Sequence, residues 1–177
     1  MCIRDSDGAE NPTFTAADIA TSADGAASVY VADLDNDGDM DIVSASMDDN
    51  TIAEYQNNLA ALDARSFAAA DITTSAETAW SVFAADIDND GDMDIVSASS
   101  FADAIAWYEN DGAANPSWSA ADIATSADGA TSVFAADMDN DGDMDIVSAS
   151  ENDDTIAWYE NDGACLLYTS PSPRDRG

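Results

Sequence analysis

Three runs of the chain set aspartates on alternate positions around one glycine: DLDNDGDMD from Asp33, DIDNDGDMD from Asp86 and DMDNDGDMD from Asp137. Each satisfies D-x-D-x-D-G-x-x-D. The pattern is met by Asp33, Asp35, Asp37, Gly38 and Asp41, by Asp86, Asp88, Asp90, Gly91 and Asp94, and by Asp137, Asp139, Asp141, Gly142 and Asp145. Alternate carboxylates in a tightly wound loop point at one centre, and glycine at the sixth position permits a turn that a Cβ would oppose. Hard oxygen donors in that number suit Ca²⁺, which takes about six to eight, whereas Mg²⁺ keeps more of its water. The seventh residue, Asp39, Asp92 or Asp143, is placed to offer its backbone carbonyl with its side chain outward. One Ca²⁺ per run is therefore expected, in three loops. A solvated acidic turn would account for the charge but not for the fixed place of glycine.

Two other calcium architectures open with the same words. An EF-hand needs a bidentate acid at position 12 and a helix on each side, but position 12 here is Ser44, Ser97 or Ser148, inside a strand-like run. A disulfide-stapled rod of acidic loops needs cysteines in the repeated part of the chain. Cys2 and Cys165 both lie outside it.

The ends read differently from the middle. MCIRD at the start and CLLYTSPSPRD at 165–175 correspond to a translated sequencing adapter and its reverse complement. Residues 1–6 and 165–177 are accordingly set aside as artefact, as a fusion scar would be. Residues 7–164 then hold 35 of the 37 acidic residues against Arg65 alone, a net charge of −34 over 158 residues, with no lysine or histidine anywhere. Such a balance argues against nucleic acid and anionic membranes, whose phosphates are bound by clustered Lys and Arg. Self-repulsion opposes compaction unless cations neutralise it. The chain is nevertheless 46% hydrophobic, with aromatic and β-branched residues at fixed places, unlike a solvating tail. No segment approaches the length of a membrane span.

The elements that must position the loops follow from self-comparison. Asp33, Asp86 and Asp137 are 53 and 51 residues apart; Tyr55, Tyr108 and Tyr159 each follow at +22, and Asp18, Asp71 and Asp122 precede at −15. Phe14, Phe67 and Trp118 stand four residues before those aspartates, and DGAENPTF at 7 matches DGAANPSW at 111. The units run 18–70, 71–121 and 122–164, with a partial repeat at 7–17, so the chain reads as a window of a longer array. Within a unit every element reads as β. SVFAAD (81–86) enters the acidic loop, DIVSAS (94–99) leaves it, AIAWYEN (104–110) follows, and NDGAANPS turns the chain into a fourth strand, SWSAADIATS (117–126). Four short strands in about 50 residues is the size of a propeller blade.

The words ADIDNDGDMDIVSAS and AIAWYENDG resemble the FG-GAP-like repeats, also called VCBS repeats, related to the calcium-binding blades of the integrin α-subunit propeller. The likeness covers 7–164. It implies an all-β fold of four-stranded antiparallel blades, about three blades of a longer, commonly seven-bladed β-propeller, with the calcium loop joining two strands of each blade. It also implies that Asp33, Asp35, Asp37, Asp41 and their repeat equivalents are ligands. The first unit departs from the pattern: Glu54 stands where tryptophan is expected, and NNLAALDARSF replaces NDGAANPSW.

The function expected is a calcium-binding repeat module of a secreted or cell-surface protein, structural, adhesive or ligand-binding, with Ca²⁺ stabilising each blade. A carbohydrate or protein ligand would meet loops of the complete propeller. The alternative is a propeller part of an extracellular polysaccharide-active, hydrolytic or lyase enzyme whose active residues lie outside this chain. Without His, Lys or a native Cys there is no serine triad, thiol nucleophile or Schiff-base lysine, so no enzyme is expected here. Trp80, Trp107, Trp118 and Trp158 are read as packing between blades rather than sugar platforms, because Trp107 and Trp158 recur at one repeat position and Trp118 stands where Phe14 and Phe67 do. Ser97 and Ser99 are read as small strand residues, Asp153 and Asp154 as a solvated loop tip, and Asp18, Asp71 and Asp122 as turn caps.

Overall fold

DIVSAS forms a strand because Ile and Val favour the extended backbone, and it can be packed on both faces because serine and alanine leave room for a neighbouring sheet. The computed structural model describes residues 17–58 and 66–163. The partial repeat before residue 17, the adapter-like ends with both cysteines, and residues 59–65 including Arg65 lie outside the described residues.

Eleven strands and no helix occur among the described residues. The first sheet holds β1 (Ala26–Ala32), β2 (Asp41–Ser46), β3 (Thr51–Asn58) and β4 (Ser66–Thr73). The second holds β5 (Ala79–Ala85), β6 (Asp94–Ser99), β7 (Ala104–Asn110) and β8 (Trp118–Ala124). The third holds β9 (Ala130–Ala136), β10 (Asp145–Ser150) and β11 (Thr155–Tyr159). Order within each sheet is the chain order and all pairing is antiparallel, so each sheet is a meander of the propeller-blade type. The outer strands of the first unit form despite its departures, β3 pairing with β4 from Ile52↔Thr73 to Asn58↔Ser66.

The second strand of each blade is the most enclosed, and every residue of β6 is buried. Covering runs in one direction. Val82 on β5 is 4% exposed and packs against the preceding blade, whereas its repeat equivalent Val29, with no described blade before it, is 65% exposed. On the other face Ile105 is fully buried toward the third blade, whereas its equivalent Ile156 is 75% exposed. Among the described residues two apolar cores result, one in each of the two junctions between blades, and none lies within a single blade. Along the first strands Tyr30, Phe83 and Phe134 form a ladder, one ring per blade, with successive centroids 4.5 Å apart in tilted contact.

Hydrogen bonds repeat across both junctions. Val82 N–H donates to Ser28 Oγ (3.4 Å) and Val133 N–H to Ser81 Oγ (3.3 Å), each serine sitting where β1 or β5 shifts register. Asn50 and Asp103, in the left-handed region at φ 59° and 51°, end the β2–β3 and β6–β7 turns. Asn50 accepts from Ala76 N–H and Thr78 N–H, and Asp103 from Ala127 N–H and Gly129 N–H. Asparagine and aspartate bear that backbone conformation better than most residues. The acidic loops 33–40, 86–93 and 137–144 therefore link the first and second strands of three blades held in fixed succession.

Candidate metal centre

Each acidic loop winds because its own carboxylates hold its backbone. In the first, Asp33 Oδ2 accepts Gly38 N–H (3.0 Å), Asp35 Oδ1 accepts Asp37 N–H (3.2 Å) and Asp37 Oδ1 accepts Asp39 N–H (2.8 Å). The second repeats the set with Asp86, Asp88 and Asp90 (3.1, 3.2 and 2.9 Å), the third with Asp137, Asp139 and Asp141 (3.2, 3.2 and 2.9 Å). Two residues per loop have positive φ: Asn36, Asn89 and Asn140 near 60°, and Gly38, Gly91 and Gly142 at 91–103°. A Cβ on these glycines would meet nothing within 4 Å, so backbone conformation rather than space requires glycine.

The winding brings three carboxylates together in each loop. Oxygens of Asp33, Asp35 and Asp37 lie within 4.8 Å of one another, as do those of Asp86, Asp88 and Asp90 and those of Asp137, Asp139 and Asp141. Three charges at that spacing repel by roughly 1 kcal/mol per pair even in bulk water. No Lys, Arg or His occurs among the described residues, so none of these offers a cation to answer them. Partial desolvation, and then neighbouring carboxylates, raise Asp35, Asp88 and Asp139 above the usual aspartate value, against the pull of a loop N–H.

The other two aspartates of each run have separate fates. Asp41, Asp94 and Asp145, at the ninth position, are buried as the first residues of β2, β6 and β10. Each uses both oxygens as a strut. Asp94 accepts Ile87 N–H (3.1 Å) from its own loop and Asn110 N–H (2.9 Å) from the end of β7. Asp41 does the same with Leu34 (2.9 Å) and Asn57 (2.7 Å), Asp145 with Met138 (3.0 Å) and Asn161 (2.8 Å). Burial raises Asp94 to about 6, outweighing its two N–H donors. In Asp145 the Asn161 N–H outweighs desolvation and the pKa is lowered. At the seventh position the side chains leave the loop: Asp92 Oδ1 accepts from Asn36 Nδ2, and Asp143 Oδ1 from Asn89 Nδ2, each across a blade junction. Asp39 has no described loop before it.

A hard divalent cation fits this donor set. Asp33 Oδ1 and Asp86 Oδ1 are shielded from solvent yet have no hydrogen-bond partner, an arrangement that costs free energy unless a cation faces the oxygen. The strut role of the ninth aspartate and the reach of the fourth-position asparagine are not evident from the pattern D-x-D-x-D-G-x-x-D. Asparagine recurring three residues after each marker (Asn36, Asn89, Asn140) and at +24 (Asn57, Asn110, Asn161) was the available sign of them.

The tryptophans separate by neighbour. Trp107 packs in the second core and Trp118 against the first, while Trp80 and Trp158 are exposed, Trp158 on the face where no described blade follows. Ser97 and Ser99 are buried, Ser97 Oγ lying 3.5 Å from the Tyr108 hydroxyl. Glu54, in the place of a tryptophan, is buried on β3 and accepts Trp118 Nε1–H (3.2 Å) from the next blade. Burial raises it from 4.5 to about 7, with the indole N–H opposing and Asp41 and Asp35 adding. A folded-state pKa above the unfolded one means the folded protein binds the extra proton. The contribution is therefore fully present below about pH 4.5 and is lost as pH rises through about 7. Glu54→Gln should flatten that part of the stability profile at fixed calcium, read as urea midpoints from pH 4.5 to 7.5. An unchanged slope would remove Glu54 as its source.

Among the described residues no helix is long and apolar enough to cross a membrane. No curated protein sequence matches the chain. The profile of the FG-GAP-like repeat matches residues 3–44, 33–97, 89–148 and 137–176, successive overlapping stretches that together take in all three acidic loops and all eleven strands. On the repeated loop, the meandering blades and this match over nearly the whole length, the chain belongs to the FG-GAP-like repeat family.

Proposed function

We propose that the protein is a calcium-dependent structural repeat module of a secreted or cell-surface protein, each loop holding one Ca²⁺ that stabilises its blade, in support of adhesion or ligand binding rather than catalysis. The observation that carries the reading is the set of three-carboxylate clusters in a structure whose described residues contain no cationic side chain. Asp33, Asp35, Asp37 and Asp41 with the Asp39 carbonyl would form the first set of ligands. Asp86, Asp88, Asp90, Asp94 and the Asp92 carbonyl, then Asp137, Asp139, Asp141, Asp145 and the Asp143 carbonyl, would form the others. The bound ion would neutralise the cluster and hold the first strand of a blade to the second. Extracellular modules of this ligand type bind calcium at about 10⁻⁴ to 10⁻³ M, matched to the calcium of an external medium.

Calorimetric calcium titration of the full chain, beside a variant carrying Asp35→Ala, Asp88→Ala and Asp139→Ala, tests it. Binding should saturate near three ions, and at about 100 times Kd each site should add roughly 2.7 kcal/mol of stability. The variant should lose both effects. Equal binding by the two proteins would reduce the runs to solvated charge.

A further inference from the structure

The three loops are tied to one another by side chains that hold no cluster of their own. Asn36, between Asp35 and Asp37, donates to the Asp92 carboxylate of the next loop, and Asn89 donates to Asp143 of the loop after. A second tie is buried. Asn110 Nδ2 donates to the Leu34 carbonyl (2.8 Å) of the first loop and the Met93 carbonyl (3.0 Å) of the second, while Asp94 holds its N–H. Asn161 repeats this with Ile87 (2.8 Å), Met144 (3.2 Å) and Asp145. Asp92 is braced from behind as well: a Cβ on Gly112, at φ 68°, would overlap its carboxylate, and Gly163 stands in the same relation to Asp143. In the first unit the matching position carries Leu59, which lies outside the described residues.

We propose that these ties couple calcium occupancy between adjacent loops, with Asn36, Asn89, Asn110 and Asn161 acting as positioning residues for the metal site of the neighbouring blade. The proposal rests on the calcium reading of the loops. The seventh residue offers its backbone carbonyl, and the rotation of that peptide is limited by where its side chain is anchored. For Asp92 the anchor is Asn36, a residue in the left-handed region at φ 57° between two ligand aspartates. An ion in the first loop fixes Asp35 and Asp37, hence Asn36, hence the Asp92 carbonyl in the second. Linkage makes the effect reciprocal. Among the described residues the side-chain ties join the first loop to the second and the second to the third, and none joins the first to the third. The coupling is therefore nearest-neighbour, as in a one-dimensional array of repeats.

Adjacency gives the test, with calcium alone as the probe and the full chain throughout. Asp137→Asn with Asp139→Asn disables the third loop and leaves an adjacent pair; Asp86→Asn with Asp88→Asn disables the second and leaves a separated pair. In the adjacent pair the second ion should bind about tenfold tighter than the first, within the usual span of coupling between sites. The separated pair should bind both ions alike. Asn36→Gly, which bears a positive φ without strain, should weaken the cooperativity of the adjacent pair while keeping two ions, the Asn110 tie remaining. The inference is overturned if both pairs bind independently. It is overturned equally if both are cooperative to the same degree, which is coupling through folding alone, or if Asn36→Gly leaves the cooperativity of the adjacent pair undiminished. Absence of saturable calcium binding in every variant overturns the calcium reading itself, and the coupling with it.

Discussion

Ile105→Ala is expected to cost about 3 kcal/mol of stability, and Ile156→Ala, the same change at the same place in the repeat, less than about 0.5 kcal/mol. Both residues follow the first residue of their strands and face an alanine on the second strand, Ile105 opposite Ala98 and Ile156 opposite Ala149. They differ in what stands around them: Ile105 has Ala124 of β8 beside it, a strand the described third sheet lacks, and a further blade on its far side. Ile105 is enclosed by Ala127, Ala130 and Val133 of the junction with the third blade, and its truncation leaves a cavity that two sheets on a fixed spacing cannot close. Ile156 faces the side where no blade is described and loses little by shortening. Urea denaturation of the two variants at saturating calcium reads the difference directly. Equal costs would mean that the Ile156 face is covered in solution, and would refute the one-sided account of blade packing.

That contrast also marks where sequence reading stopped. The strands at 94–99 and 104–110 were legible to the residue, because alternating β-branched positions and the turn words around them are local features. The family and the blade were legible from the period. Directionality was not, since Val29 and Val82 sit in nearly the same words and only the neighbouring sheet makes one exposed and the other buried. Within the site, the three clustering aspartates follow from alternation along one loop. The partners of the remaining two do not. Asp94 is claimed by an N–H 16 residues away on β7, and Asp92 by an asparagine 56 residues away in another blade. Glu54 reads as a defect in the first unit until Trp118, 64 residues on, is placed against it.

Identical aspartates in one run should therefore differ in what their removal costs when calcium is chelated. Asp94→Ala is expected to cost about 3 kcal/mol even with calcium chelated, because it leaves the buried N–H groups of Ile87 and Asn110 without acceptors, at about 1–3 kcal/mol each. Relief of the burial that raises Asp94 to about 6 offsets part of that loss but restores neither hydrogen bond. Asp88→Ala removes an exposed carboxylate whose partial desolvation and whose neighbours Asp90, Glu109 and Asp86 already oppose its charge. In chelator its denaturation midpoint should be unchanged or slightly raised. In calcium at about 100 times Kd the same variant should fall short of the unaltered protein by roughly 2.7 kcal/mol, the linkage contribution of one lost ion. Urea midpoints for both variants, with and without calcium, separate the roles. If Asp88→Ala destabilised equally in chelator, its carboxylate would be holding backbone rather than cation. If Asp94→Ala were harmless in chelator, the strut would be an effect of the ion and not the frame that receives it.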